Sequence, residues 1–196
     1  MNDAGAHSPK ARALAQLHDA HARYVVADWE LPFRYTPEGQ IMGRLESVLD
    51  WAGRAHDEYF EVYFRRGADG WTPVWVFYEP YYRSMAFRLV VAGGEAVTPR
   101  KVSVITTADR VDSRRMPFRE ILREQVFESY EEAQRFASSA ALGNARVVGL
   151  DPRQSAFPLE ALSSFERLQD IRTVGQAASN LPWIRIYQVR PAPSQR

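Results

Sequence analysis

Hydrophobic and polar positions change period several times along this chain, which predicts short strands interleaved with amphipathic helices rather than a uniform bundle or sandwich. Ser8-Pro9 supplies an N-cap and a first helical residue, and Leu14 and Leu17 continue that pattern to about Ala22. Tyr24-Val25-Val26-Ala27 is a brief apolar run ending at Asp28, so it predicts a buried strand whose last residue emerges at the sheet edge. Ile41, Leu45, Val48 and Ala52 recur at i, i+4, i+7 and i+11, with Gly53 behind them, and predict an amphipathic helix. From Tyr59 to Tyr78 aromatic residues crowd around Gly67-Ala68-Asp69-Gly70. The segment Trp71 to Phe77 reads as a strand of a hairpin, and Pro73 places it at an edge.

The second half continues in the same manner. Pro80, Tyr81, Met85, Leu89 and Ala92, followed by Gly93-Gly94, predict a helix with a proline start and a glycine end. Val102 to Thr106 and Ile121 to Phe127 read as strands, and the polar, arginine-rich stretch Asp109 to Met116 between them reads as a mobile loop. Ser129-Tyr130-Glu131-Glu132 is a capping box that opens a helix to Leu142, stopped by Gly143. Ala145 to Leu150, Phe165 to Ile171 and Trp183 to Val189 read as strands, the last with Ile184 and Ile186 on one face. The expected fold is α+β: a single mixed domain over 1–196, with several helices packed on short, mostly antiparallel strands. Residues 1–7 and 191–196 are expected to fray.

Composition narrows the function. At 196 residues and 45% hydrophobic the chain can bury a real core, so global disorder is excluded. Lys plus Arg number 25 against 24 Asp plus Glu, and this balance offers no net field for nucleic acid. The absence of cysteine removes disulfides, thiolate metal sites and cysteine nucleophiles. No stretch of eighteen or more apolar residues occurs, so nothing here is expected to cross a membrane unaided.

Candidate chemistry is sparse. His18 and His21 stand at i, i+3 without a third ligand at a defined spacing, so no metal site is expected. No G-x-S-x-G elbow, G-x-G-x-x-G or Walker loop occurs. Glu79 with Asp109, or Asp28 with Glu30, could form the carboxylate pair that glycoside hydrolysis needs, but solvated surface charge is the plainer reading. The aromatic residues between Tyr59 and Tyr82 could stack on sugar rings, although aromatics at strand and helix spacing more often build core. No catalytic residue is expected.

Two segments carry a resemblance. Tyr81-Tyr82-Arg83-Ser84-Met85-Ala86-Phe87-Arg88-Leu89 with Gly94-Glu95-Ala96-Val97-Thr98-Pro99, and Val147 to Ser155 with Pro158-Leu159-Glu160-Ala161-Leu162, are similar to stretches of one family. It is the C-terminal globular domain of archaeal-type oligosaccharyltransferase catalytic subunits (dolichyl-phosphooligosaccharide-protein glycotransferase). Arg23 to Asp28 and Gly43 to Gly53 resemble its strand and following helix, so coverage runs from about residue 22 to 190.

The resemblance implies an extracytoplasmic domain that contributes to recognition of the Asn-x-Ser/Thr acceptor sequon in protein N-glycosylation. It implies inactivity without the membrane catalytic half, which in the family holds the divalent metal and through which the lipid-linked oligosaccharide is met. The implied partners are that membrane half and the acceptor peptide, and the chain itself would hold no cofactor. The implied acceptor-binding residues are Asp28, Leu31, Arg44 and Val48. The family usually has Met and Lys where Leu31 and Arg44 stand, and residues 32–42 look like an insertion. The expected location is the extracytoplasmic face of the cell membrane if upstream membrane segments export the domain, and the cytoplasm otherwise. The alternative is a free-standing glycan- or protein-binding module of the same fold.

Overall fold

A computed structural model of the chain describes residues 15–28, 44–139, 144–171 and 184–190. In chain order the elements are α1 (residues 15–19), β1 (Tyr24–Asp28), α2 (Arg44–Trp51), a 3-10 turn (His56–Glu58), β2 (Phe60–Gly67) and β3 (Gly70–Phe77). They continue with α3 (Glu79–Arg83), a π turn (Phe87–Val91), β4 (Val102–Val111), β5 (Pro117–Phe127) and α4 (Tyr130–Ala137), then β6 (Ala145–Val148), β7 (Phe165–Ile171) and β8 (Ile184–Val189). The mixed α+β class is therefore as the periodicity predicts, and among the described residues the strand pairs are antiparallel except β2 with β5. The chain forms two compact units: Met1–Ser47, Met85–Ala96 and Ala161–Arg196 make one, and Val48–Ser84 with Val97–Glu160 make the other.

The first unit holds a three-stranded sheet in the order β1-β8-β7. Its core gathers Ala27, Leu89, Val90, Leu162, Phe165, Tyr187 and Val189 beneath the π turn. One expectation changes here. The strand β1 lies at the sheet edge with Tyr24 and Val26 exposed; on the opposite face Ala27 is buried and Val25 half-buried. On β8, Ile184 and Ile186 share one face as their alternation predicts; that face is half-buried, and the buried one carries Arg185, Tyr187 and Val189. Tyr187 can be buried there because its hydroxyl donates to the Leu89 carbonyl, which satisfies the polar end of an otherwise apolar ring.

The second unit holds a five-stranded sheet in the order β3-β2-β5-β4-β6. Its two edges meet again. Phe77 at the end of β3 and Gly149 just after β6 exchange both backbone hydrogen bonds at 2.9 Å, so the sheet curls into a partly closed barrel. The interior packs Tyr63, Val76, Ile105, Ile121 and Val148. Closure depends on glycine at 149, because a Cβ there would overlap the Tyr82 hydroxyl. The β2–β3 hairpin turns at Ala68-Asp69, and Pro73 does lie on an edge strand.

Helix ends follow the sequence signals more closely than helix bodies do. The helix α2 buries Leu45 and Leu49, each worth roughly 1.5–3 kcal/mol, and exposes Val48. It stops where Gly53 adopts a φ of 64°: Arg54 N–H reaches the Leu49 carbonyl and Gly53 N–H that of Asp50. Ser129 caps α4 by accepting from the Glu132 N–H at 3.3 Å, but the helix ends at Ala137; residues 140–143 lie outside the described residues. The helix expected from Pro80 to Ala92 is broken. Ser84 is extended, and it separates α3 from the π turn. The stretch Asp109 to Met116 is also more ordered than its composition suggests, because β4 runs to Val111 and Asp112 Oδ1 accepts the N–H groups of Arg114 and Met116.

Candidate functional site

Strand register sorts neighbouring residues of the barrel onto opposite faces. Pairing of Arg66 with Trp71, Phe64 with Glu120 and Arg110 with Phe118 puts those six residues on one face. The same register puts Glu61, Tyr63, Asp109 and Arg119 on the other, which is the barrel interior.

The outer face forms a groove of about 780 Å³. Phe118 is its centre, meeting Phe64 edge-on at 5.5 Å and Trp71 at 5.1 Å between ring centroids. Trp71, Val111 and Met116 are 46%, 65% and 62% exposed, so apolar surface remains open to a partner. Its charges are mostly spent: Arg110 pairs with Glu120 at 2.6 Å, and Asp112 is held by the turn N–H groups. Arg66 lies 6.0 Å over the Trp71 ring and has no ion pair among the described residues.

The inner face carries a polar network instead. The hydroxyls of Tyr63 and Tyr78 lie 2.7 Å apart, and Tyr78 donates to Glu61 Oε2. Arg119 Nη1 donates to the same carboxylate oxygen at 2.6 Å and to the Tyr63 hydroxyl at 2.9 Å. Burial, followed by the hydrogen bond to Glu61, raises the Tyr78 phenol far above its ordinary value, so it stays neutral. The bond from Arg119 to Tyr63 holds that guanidinium charged against its partial burial. Such a network can fix side chains and present donors, but it contains no activated nucleophile.

The residues proposed from sequence fall elsewhere. Asp28 ends β1, half-buried. Val48 is 42% exposed on α2. Leu31 and the side chain of Arg44 lie outside the described residues. His21 sits beyond α1 with a φ of 51° and is not on a helix face with His18, whose Nε2 lies 3.3 Å from the Arg190 carbonyl oxygen. Glu79 is engaged by Arg83 at 2.7 Å, and Asp109 lies near Arg119 at 3.7 Å, so these two carboxylates are separately occupied; Glu30 lies outside the described residues. Among the described residues no three His, Asp or Glu side chains gather as a metal site, and no helix is long and apolar enough to cross a membrane.

The two segments that carry the family resemblance interlock. Tyr81 and Tyr82 donate to the carbonyls of Pro152 and Asp151, at 3.1 and 2.8 Å, and Val97 pairs with Leu159 through two backbone bonds. Their residue choices follow from this packing. The groove was missed because its members are scattered over four strands; the one sequence signal for it was the aromatic run containing Phe64 and Trp71. No family model matches the chain, nor does any curated protein or solved structure.

Proposed function

We propose that this chain is a recognition domain that binds an extended polypeptide segment and performs no chemistry alone. The observation that carries the reading is the outer groove, where Trp71, Phe118, Val111 and Met116 offer contiguous apolar surface beside Arg66. A sugar ring is the weaker fit, because stacking needs an open aromatic face and Arg66 lies over that of Trp71. Aliphatic side chains of a polypeptide suit Val111 and Met116, and an acidic neighbour would meet Arg66. Polypeptide binding is also the kind of role that the family resemblance implies for an extracytoplasmic domain of an oligosaccharyltransferase-like protein acting beside a membrane catalytic half, although the resemblance puts it at other residues.

The test is titration of a panel of extended peptides, with and without an acidic residue beside an apolar one, followed through the Met116 methyl resonance. Saturable shifts at Met116, stronger for the acidic peptides, support the reading; binding of oligosaccharides but not peptides contradicts it. A second reading places acceptor recognition at Asp28, Leu31, Arg44 and Val48. It is favoured by the exposure of Val48 on a helix whose neighbouring Leu45 and Leu49 are buried, which leaves an apolar side chain available to a ligand. Under that reading Val48→Ala weakens binding of an Asn-x-Thr peptide and Trp71→Ala does not.

A further inference from the structure

At the barrel mouth, on the face opposite the groove, a separate cavity of about 170 Å³ is lined by Tyr63, Thr107, Asp109, Arg119, Asn144 and Arg146, with Ala145. Its lining is almost wholly polar. It adjoins a wider space of about 430 Å³ that Arg119 and Arg146 also line. The smaller cavity holds several waters' worth of volume, at roughly 30 Å³ each, which is room for one compact polyatomic group.

Charge decides what kind. Arg119 is anchored at Nη1 by Glu61 and Tyr63, and among the described residues its Nε faces only the carboxylate of Asp109, at 3.7 Å and 93% exposed. An exposed carboxylate at that distance is a weak counterion that water screens. The Arg146 side chain makes no ion pair or hydrogen bond among the described residues. The negative charge of Glu61 is already shared between Arg119 and the Tyr78 hydroxyl. Two guanidinium groups from different strands, β5 and β6, therefore line a small cavity with the Thr107 hydroxyl from β4 and the Asn144 amide beside them. Donors arriving from three elements surround a tetrahedral group better than a planar one, and guanidinium is the side chain best suited to phosphate oxygens.

We propose that this cavity binds a phosphate group, held by Arg119 and Arg146 and oriented by Thr107 and Asn144. The adjoining space, lined also by Asp57, Glu58 and Glu61, leaves room for the uncharged, hydroxyl-bearing remainder of a larger molecule that bears the phosphate. The site shares no lining residue with the groove and stands independently of the polypeptide reading.

The test uses the whole chain, with calorimetric titration of inorganic phosphate and of a sugar phosphate against chloride and acetate at matched ionic strength. Both phosphates should bind saturably and acetate should not. A tighter sugar phosphate identifies a phosphate borne on a larger molecule, and equal or tighter inorganic phosphate identifies the free ion. Arg146→Ala, which breaks no bond of the described fold, should weaken binding by about tenfold or more, as expected for losing a charge-assisted contact. Asp109→Asn should tighten it by removing the competing carboxylate. No saturable binding of either phosphate, or equal binding by Arg146→Ala with an unchanged melting curve, would overturn the proposal.

Discussion

Tyr63 and Phe64 are adjacent in sequence, as are Phe118 and Arg119, yet each pair divides between two chemically different surfaces. Inside the barrel, Tyr63 and Arg119 join a hydrogen-bonded network centred on Glu61. Outside, Phe64 and Phe118 build an apolar wall that ends in exposed Trp71 and Met116. The network is partnered around Glu61 and leaves only its polar mouth at Arg119 and Arg146 open, whereas the wall still has apolar surface to bury. The stabilising polar network and the apolar surface for a polypeptide thus lie on opposite sides of the same strands.

The largest effect should come from breaking the curl that separates the two surfaces. In Gly149→Ala the new Cβ meets the Tyr82 hydroxyl, and Tyr82 has no room to move because its ring is buried against Phe77, Tyr81 and Phe157. Overpacking of this kind costs about 1–3 kcal/mol, and loss of the paired bonds to Phe77 should place it at the upper end. Urea unfolding of the variant checks this, and inner and outer surfaces should fail together.

Tyr78→Phe attacks the inner surface alone. Glu61 then keeps Arg119 but loses a donor, so the cost should be about 1–3 kcal/mol with peptide binding preserved. The pH dependence gives a second check. The folded state keeps the Tyr78 phenol protonated above its ordinary value of 10.0, so this stability is fully present below pH 10 and is lost as pH rises beyond it. Tyr81, Tyr82 and Tyr187 are shifted in the same direction, chiefly by burial. The variant should therefore show a shallower alkaline loss of stability than the parent, without abolishing it.

Much of the framework is legible in the sequence because it depends on local signals. Gly53, Ser129 and the Gly67 to Gly70 turn act through backbone conformation and capping within a few residues, and each appears at its predicted place. The stripe from Tyr81 to Leu89 misleads because consecutive Tyr81 and Tyr82 are both buried, their hydroxyls claimed by carbonyls some seventy residues away. No helical period describes that arrangement. On β8, Arg185 is buried while the isoleucines beside it are only half-buried, reversing the hydropathy pattern. The groove and the polar mouth depend on register between strands distant in the chain, and a one-residue slip would exchange their residues.

The most direct test of the assignment is Trp71→Ala, with peptide affinity and thermal unfolding measured on the same preparation. Trp71 lies on an edge strand and is nearly half exposed, so truncation should cost about 1 kcal/mol or less of folding stability. As the exposed anchor of the groove it should weaken peptide binding by about tenfold or more. A melting curve close to the parent's with that loss of affinity is the predicted result; unchanged affinity for a peptide that binds the parent would contradict the account.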